Sequence, residues 1–523
     1  MISDFFKDKK TRLVFISSFL WAVAAHGMAM FNKYSFHDDV SWFNGVGETY
    51  GLGRWFLGFT GSMTEYLCMS RNYSTPLFNG ILTILGVAVM VYLVCRKLRI
   101  DDPFMIIGLS GVMVCFPAVT NIFGFIFTGP HYYLGAALGV VGAYVFSTNK
   151  NIASFILCTF LMCLSTGLYQ SNIAINLIVL LLFMLDEVYE HDMTWKEYIV
   201  LGLKNAAVCA AFMAEYFGLN ALFLKITGLE MYNYKGVNSF GMTGISGYAW
   251  RIFTAYKRFI KPADFINYDG VSANMFPWNL KYLHIFLVII SIVLIFVMLR
   301  RAGKFAKIVQ MGILIAVSPL FSYFIYFMVA EEDAHGGMAY GEVFMFALAA
   351  FVITRLREDG YGSSELPNPV KNISMIISRI AVVIIMIMAV MFTRYANVCY
   401  LKVELMQSEA ISYYTTLITR IQQTEGYDYD TPICFVGGEK KNDEAFSGNK
   451  RFDPIYLPPY QGNSIINDFE WEETMKMWCG FSYEVYHGQH LDETKVQAMP
   501  IYPADGSVRM INGVLVVKFN EEN

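Results

Sequence analysis

Charged residues are scarce in this sequence. Of its 523 residues, 16% are charged and 55% are hydrophobic, and the mean hydropathy is +0.43. Soluble globular proteins carry about 25% charged residues. The deficit excludes an ordinary soluble enzyme and predicts a polytopic membrane protein. The net charge of −4 is also too small to favour a nucleic acid as a partner.

Paired cysteine motifs are absent as well. The nine cysteines have no CxxC spacing, and several lie in apolar runs, among them Cys115, Cys158 and Cys209. This pattern is typical of small buried side chains and excludes a zinc or disulfide framework. The sequence contains no internal repeat, and the apolar segment 13–31 lacks the small-residue cleavage site of a signal peptide.

Long apolar segments are what the sequence does have. A membrane-spanning helix needs about 20 mainly apolar residues. Eleven segments approach this requirement: 13–31, 76–95, 104–126, 131–148, 152–168, 171–186, 198–224, 282–299, 308–329, 339–356 and 373–393. The short pair at 152–186 is compatible with two tight spans or with one kinked element. The predicted fold class is an all-α polytopic membrane protein of about eleven transmembrane helices over residues 1–393.

Lysine and arginine residues predict the orientation of these helices. They collect at the N-terminus and in alternate connections, at 96–99, 150, 300–307 and 355–357. Such connections face the cytoplasm, which predicts a multi-pass protein of the bacterial cytoplasmic (inner) membrane. The other set then lies outside and includes the large loops 32–75 and 225–281, the turn near 169, and residues 330–338.

The composition becomes less apolar after residue 393. Residues 400–425 and 467–486 have helical patterns, and residues 432–437 and 513–519 are short apolar runs typical of buried strands. Residues 394–523 therefore predict a small extracytoplasmic α/β domain.

The first outer loop, residues 32–62, has the most notable polar residues. Asp38 and Asp39 follow His37, and Arg54 lies in a Gly-Arg-Trp triplet. A carboxylate pair can supply a general base, hold a divalent metal such as Mg²⁺ or Mn²⁺, or cap a following helix. Arg54 can clamp a phosphate or extend from an interfacial helix towards water. Spacing alone leaves these alternatives open.

Other polar residues fall on the same predicted face. They are His131 after Gly129-Pro130, Tyr169 and Gln170 in a short turn, the segment Glu331-Glu332-Asp333 with His335, and Glu215 in an apolar run. Residues 245–261 form a basic amphipathic pattern containing Arg251, Lys257 and Arg258. This pattern predicts a helix in the headgroup layer, either as a surface anchor or with one cation on a lipid phosphate. Functional residues on one face indicate a site at one membrane surface.

Two motifs carry a resemblance to a known family. The first loop, with YSFHDD at 34–39 and GRW at 53–55, and the turn TGLYQSN at 166–172 resemble the bacterial O-antigen glucosyltransferase II family. These proteins are Gtr-type members of the GT-C glycosyltransferase superfamily. The resemblance implies transfer of a sugar, glucose in this family, from a polyprenyl-phosphate donor to a surface glycan at the extracytoplasmic face, with inversion.

The resemblance also implies roles for individual residues. Asp38 or Asp39 would be the essential carboxylate of the first loop, and Arg54 would contact the donor phosphate. The further candidates for binding the donor or lining its pocket are His37, His131, Tyr169, Gln170, Arg251, Lys257, Arg258 and His335. One departure concerns residues 330–340, where a basic residue is expected but the sequence reads EEDAHGG. Either His335 takes that role or the phosphate is held elsewhere.

Three rival functions remain open from sequence. A transporter or flippase of lipid-linked sugar would carry ionisable residues at mid-membrane and repeated halves, and neither pattern is present. A different GT-C activity, such as a mannosyl- or arabinosyltransferase or a polysaccharide polymerase, would differ in only a few pocket contacts that select the donor. A non-catalytic scaffold would not need the carboxylate pair and the Gly-Arg-Trp triplet.

Overall fold

The computed structural model describes residues 8–34, 38–41, 44–232, 244–260, 264–266, 272–274, 280–301, 303–329, 334, 336–358, 368–437, 471–486 and 491–520. The chain forms two compact units. The helical unit comprises residues 1–33 and 44–397, and the C-terminal unit comprises residues 34–43 and 398–523. Residues of the first loop therefore contribute to both units.

Helices account for most of the described chain. The first nine are α1 (Lys9–Phe31), α2 (Asp38–Ser41), α3 (Trp55–Cys68), α4 (Pro76–Lys97), α5 (Pro103–Cys115), α6 (Pro117–Phe123), α7 (Gly129–Asn149), α8 (Ile152–Leu168) and α9 (Asn172–Glu190). The others are α10 (Trp195–Thr227), α11 (Ile245–Ile260), α12 (Leu280–Arg301), α13 (Phe305–Ser322), α14 (Ile325–Met328), α15 (Phe344–Glu358), α16 (Asn368–Gln423), α17 (Trp471–Cys479) and α18 (Glu493–Gln497). Short 3₁₀ turns lie at Tyr50–Leu52, Gly336–Met338 and Tyr340–Val343.

Each of the eleven predicted apolar segments contains helix, which confirms an all-α membrane architecture. Within the described ranges, seven helices are long and apolar enough to cross a membrane: α1, α4, α9, α10, α12, α13 and α16. The pair α5 and α6, bent by 43°, would add an eighth. Segments 152–168 and 171–186 are two separate helices, α8 and α9.

The helix ends follow local capping chemistry. The Asp8 carboxylate accepts a hydrogen bond from the Thr11 backbone N–H at 2.9 Å at the start of α1. Asp102 caps α5 in the same way. Complete capping boxes begin α8 and α10, where Thr194 and Glu197 bond reciprocally in the second case. These caps satisfy backbone donors that a helix start otherwise leaves without partners.

Helix α9 lies at the centre of the helical unit, since 89% of its most apolar stretch is buried. It packs against α7, α8 and α13. Glycines allow the close approach of these helices: a Cβ atom at Gly139 of α7 would overlap the side-chain amide oxygen of Asn176 on α9. Small residues at helix contacts are typical of membrane bundles, where packing replaces the hydrophobic effect.

One end of the helical unit, here called the basic end, is held by ion pairs between helix termini. Arg355 of α15 contacts Asp186 at 2.5 Å and Glu190 at 3.0 Å, both on α9. Further pairs among the described residues are Arg99–Glu190, Lys150–Glu187, Lys304–Asp192, Lys307–Asp192, Arg357–Asp102 and Lys10–Asp101. The basic connections predicted to lie on one face thus form ion pairs between neighbouring helices.

The Arg355–Asp186 pair predicts a large effect on stability. The two side chains are only 1% and 6% exposed. Arg355→Ala would remove the directly bonded cation from a buried carboxylate, which costs about 3–5 kcal/mol. We expect a marked loss of thermal stability in detergent, measured by fluorescence-detected gel filtration after heating. Lys304→Ala is the matched control, because its pair with Asp192 is exposed (68% and 51%) and contributes about 0–1 kcal/mol. Equal losses in both variants would contradict the prediction.

The C-terminal unit contains a three-stranded sheet in the order β3-β5-β4, with β3 (Ile433–Val436), β4 (Val508–Ile511) and β5 (Val514–Lys518). Strand β3 runs parallel to β5, and β4 runs antiparallel to it. A separate two-stranded sheet, β1 (Asp264–Ile266) and β2 (Ser272–Asn274), belongs to the helical unit. The core of the C-terminal unit contains Val436, Val496, Met499, Ile511, Val514 and Val516.

Two predictions for this part of the chain need correction. The span at 373–393 and the helix at 400–425 are a single helix, α16, because no glycine or proline lies between Pro369 and Gly426. Of the segment 467–486, the structure describes residues 471–486, and these are helical over Trp471–Cys479. Its last residues are extended, and Val485 pairs with Ile433.

Candidate functional site

Arg54 lies in a tight turn that leads into α3. The 3₁₀ turn Tyr50–Leu52 ends at Gly53, which has φ +73°, and Arg54 is the residue before the helix. A Cβ atom at Gly53 would lie 2.7 Å from the Tyr216 hydroxyl oxygen. Both the left-handed conformation and this close approach favour glycine. The glycine of the Gly-Arg-Trp triplet therefore permits the tight turn that places Arg54 directly before α3.

The guanidinium of Arg54 is held by two stacked tyrosines. Its Nη1 donates a hydrogen bond to the Tyr132 hydroxyl at 2.9 Å. The Arg54 Cζ atom lies 5.7 Å from the centroid of the Tyr132 ring and 5.3 Å from that of Tyr169. The two rings stack at 4.1 Å with 6° between their planes. Contacts of this kind between an arginine and ring faces are attractive, so the tyrosine pair fixes the position of the charge.

Gln170, in the turn between α8 and α9, holds the Arg54 turn in place. Its Nε2 donates to the Leu52 carbonyl oxygen and to the Tyr216 hydroxyl, the latter at 3.4 Å. The Tyr216 hydroxyl in turn donates to the Gly53 carbonyl oxygen at 3.1 Å. Gln170 and Tyr216 are both buried. The structure thus brings together the two sequence motifs, GRW and TGLYQSN, in one hydrogen-bonded cluster.

His131 lies beside this cluster, at the start of α7. Its Nδ1 is 3.0 Å from the Thr60 hydroxyl on α3. The next residue, Tyr132, is the one that binds Arg54. The contact of His131 with Thr60 ties α3 to α7 beside the Arg54 cluster, and its expected role in binding stays a prediction.

The segment after the EEDAH sequence reaches the same region. A small cavity is lined jointly by Tyr132, Tyr169 and Asn172 and by Gly337 and Tyr340. The Tyr340 hydroxyl donates to the Met113 carbonyl oxygen at 2.9 Å. Two connections that are distant in sequence therefore meet next to Arg54. His335 and residues 330–333 lie outside the described residues, so the expected role of His335 stays a prediction.

The predicted amphipathic helix is present as α11, but its cations differ in environment. Arg251 donates to the Phe327 carbonyl oxygen, and Arg258 is buried, whereas Lys257 is exposed. The helix packs on α13 and α14, while Trp250 and Phe253 are exposed. Arg251 and Arg258 thus contact protein while Lys257 is exposed, and the contact of one of these cations with a lipid phosphate stays a prediction.

The carboxylate pair lies in α2, within the C-terminal unit. Asp38 is partly exposed and Asp39 is fully buried. The structure describes this helix from Asp38 to Ser41, and the capping role that the sequence suggested for the two aspartates stays a prediction. Both lie in the first turn, where carboxylates interact favourably with the helix dipole. His37 lies outside the described residues. Among the residues that the structure describes, no group of three or more His, Cys, Asp or Glu side chains could hold a metal.

The comparison with known families decides the classification. The sequence matches the family described as Glucosyl transferase GtrII over residues 27–346, more than half of the chain. The chain belongs to the GtrII glucosyl transferase family. It is therefore a membrane glycosyltransferase, and the resemblance carried by the two motifs is confirmed. The part of this GtrII family member that matches includes α2, the Arg54 turn and the Tyr169–Gln170 turn.

The sequence and the structure were also compared with curated proteins and with solved structures. No curated protein matches this GtrII family member. Among solved structures, it is similar to the crystal structure of the apo form of an oligosaccharyltransferase from Archaeoglobus fulgidus, with 12% sequence identity and a TM-score of 0.38. The alignment covers 89% of this chain and 65% of the oligosaccharyltransferase. A likeness of this size carries no argument about mechanism.

Several residues of the cluster were not predicted from sequence. Tyr132 and Tyr216 lie within apolar helices, where a lone tyrosine gives no signal of function. Thr60 lies within the largely apolar helix α3, where a threonine also gives no signal of function. Glu215, which would be costly in an apolar run, accepts a hydrogen bond from the Thr159 hydroxyl at 2.7 Å.

Proposed function

We propose that this glycosyltransferase moves glucose from a polyprenyl-phosphate donor to a hydroxyl of a surface glycan. The observation that carries the proposal is the Arg54 guanidinium, fixed on the Tyr132–Tyr169 stack where α3, α7 and α8 end or begin. A lipid-linked donor presents its phosphate near the membrane surface. A cation at the ends of membrane helices is placed to meet it.

The leaving group requires such a cation. When the bond between the sugar C1 and the phosphate oxygen breaks, negative charge develops on the phosphate. Arginine presents a planar fork of N–H donors that matches phosphate oxygens. Because two ring faces and the Tyr132 hydroxyl already position this fork, little reorganisation is needed as charge develops. Arg54 would thus stabilise the transition state.

The acceptor requires a base. In a single displacement, the acceptor oxygen bonds to C1 as the phosphate departs, and the hydroxyl proton passes to a carboxylate. We assign this role to the Asp38–Asp39 pair, in keeping with the family resemblance. Two adjacent carboxylates also suit an oxygen-preferring divalent cation. Mg²⁺ or Mn²⁺ would be bound there through Asp38, the partly exposed carboxylate of the pair, and would supply positive charge.

The orientation completes the proposal. Lysine and arginine residues mark the basic end of the helical unit, and such connections face the cytoplasm. Helix α9 runs from the Gln170 turn to the basic end, and its 19 residues correspond to about 28 Å. The Arg54 cluster would therefore lie at the extracytoplasmic surface of the bacterial inner membrane, where a surface glycan can approach.

A donor comparison tests this function. Membranes containing the intact protein are given either radiolabelled polyprenyl-phosphate glucose or UDP-glucose, together with the native surface glycan, with and without EDTA. We expect label to enter the glycan only from the lipid donor, and EDTA to abolish transfer if the carboxylate pair acts with a metal. Membranes lacking the protein are the control. Transfer from UDP-glucose alone would refute the donor assignment. Movement of the lipid-linked sugar across sealed vesicles without transfer would favour a flippase.

A further inference from the structure

A second cavity, far from Arg54, lies at the basic end between α7, α9 and α10. Its volume is about 580 Å³, within the usual range for a small-molecule site. Its walls are apolar where Phe183, Met184 and Val200 line it, and polar where Lys150, Lys196 and Lys204 do. About 28 Å of α9 separates this end from the Gln170 turn, so the cavity is not part of the proposed donor site.

The carboxylates of this cavity already have partners within the protein. Glu187 pairs with Lys150 at 2.5 Å. Asp192 pairs with Lys304 at 2.6 Å, and this hydrogen bond holds the pKa of Asp192 below its usual range. Glu197 accepts hydrogen bonds from Thr194 in the capping box of α10. Two of these three carboxylates are therefore paired with lysines, whereas Glu197 is fixed by Thr194 and keeps its charge.

Two lysines of the lining remain. Lys196 and Lys204 are exposed, and neither forms an ion pair with any residue in the described ranges. They are eight residues apart on α10 with Val200 between them, so the three share one helix face. The cavity thus combines an apolar wall with two available ammonium groups.

The length of α10 places these lysines at a membrane surface. Its 33 residues extend about 50 Å, whereas the hydrocarbon layer is about 30 Å thick. Part of α10 therefore extends beyond the hydrocarbon, and Lys196 belongs to the basic end of the helical unit, which the positive-inside rule places at the cytoplasmic surface. The nearby side chains Ile199 and Leu203 are exposed, as expected for a surface that faces lipid.

We propose that this cavity binds the headgroup of an anionic glycerophospholipid, with Lys196 and Lys204 contacting its phosphate. The apolar wall at Phe183 and Met184 would hold the first part of the acyl chains. Basic pockets between membrane helices favour anionic headgroups, whose charge attracts lysines near the surface. The site is distinct from the proposed donor site and does not depend on the sugar or the acceptor.

The test uses the full-length protein in detergent, with native mass spectrometry to measure retention of dioleoyl phosphatidylglycerol against dioleoyl phosphatidylcholine. We expect the intact protein to prefer phosphatidylglycerol. The double variant K196Q/K204Q should bind it about 30-fold more weakly, on the basis of the usual contribution of each interfacial lysine. Its binding of phosphatidylcholine should not change.

The matched control is K225Q, which removes an exposed lysine near the other end of the same helix. Its lipid binding should equal that of the intact protein, and gel filtration should show all variants to be folded. If K196Q/K204Q does not fold, the single variant K204Q is measured instead. Unchanged phosphatidylglycerol binding in the double variant would overturn the proposal, as would an equal loss in K225Q. Tight binding of inorganic phosphate that phosphatidylglycerol does not displace would also overturn it.

Discussion

Arg54→Ala is expected to lower the rate of sugar transfer about 100- to 1,000-fold, the usual effect of removing one preorganised group that stabilises transition-state charge. The protein should still fold. Arg54 is only partly buried, and the stacked Tyr132 and Tyr169 rings, together with the bonds of Gln170 and Tyr216 to the turn, remain. The measurement is transfer of labelled sugar from the polyprenyl-phosphate donor, with gel filtration as the test of folding.

Arg54→Lys separates charge from geometry. Lysine keeps the positive charge but lacks the planar fork that binds two phosphate oxygens and stacks on aromatic rings. We expect it to recover only a small part of the activity. Arg71→Ala is the matched control, because Arg71 is an exposed arginine in the connection after α3 and should leave transfer unchanged. Full activity of Arg54→Ala would rule out a catalytic role for the guanidinium and leave it as a packing residue.

Features that depend on local sequence could be predicted, whereas features that depend on contacts between residues distant in sequence could not. The membrane architecture was predictable because each apolar segment responds to the bilayer independently of the others. The Arg54 turn and the Gln170 turn could be selected because each is a short, local motif. Tyr132 and Tyr216 could not, because their importance comes from contacts across 78 and 163 residues of sequence. The error at α16 was local, since the absence of glycine and proline could have predicted one long helix.

The position of the carboxylate pair could not be predicted either, because it too depends on contacts between residues distant in sequence. Residues 34–43 follow a membrane helix, and nothing in their pattern associates them with a domain that begins more than 350 residues later. In the structure they belong to the C-terminal unit, where α2 packs against α17. Long-range packing of this kind has no periodic signal. This packing also buries Asp39 but leaves Asp38 partly exposed, a difference that two adjacent aspartates in the sequence do not predict.

That difference in burial predicts different outcomes for the two aspartates. Asp38 is partly exposed, whereas Asp39 is fully buried. A general base must reach the acceptor hydroxyl, and only the partly exposed side chain offers surface to a substrate. We expect Asp38→Asn to lower transfer about 100- to 10,000-fold, the usual contribution of a general base, without loss of thermal stability. Asp39→Asn should instead lower thermal stability, because a buried charge persists only with compensating partners.

Transfer from the lipid donor and heating in detergent are therefore measured on the same preparations. Glu48→Gln is the matched control, since Glu48 is an exposed acid of the same stretch and its loss should affect neither quantity. Full activity in Asp38→Asn, Asp39→Asn and the double variant would eliminate the pair as the base and direct attention to Glu331, Asp333 and Glu215. Inactivity of Asp39→Asn with unchanged stability would reverse the assignment, because the buried carboxylate would then have to become accessible when the substrate binds.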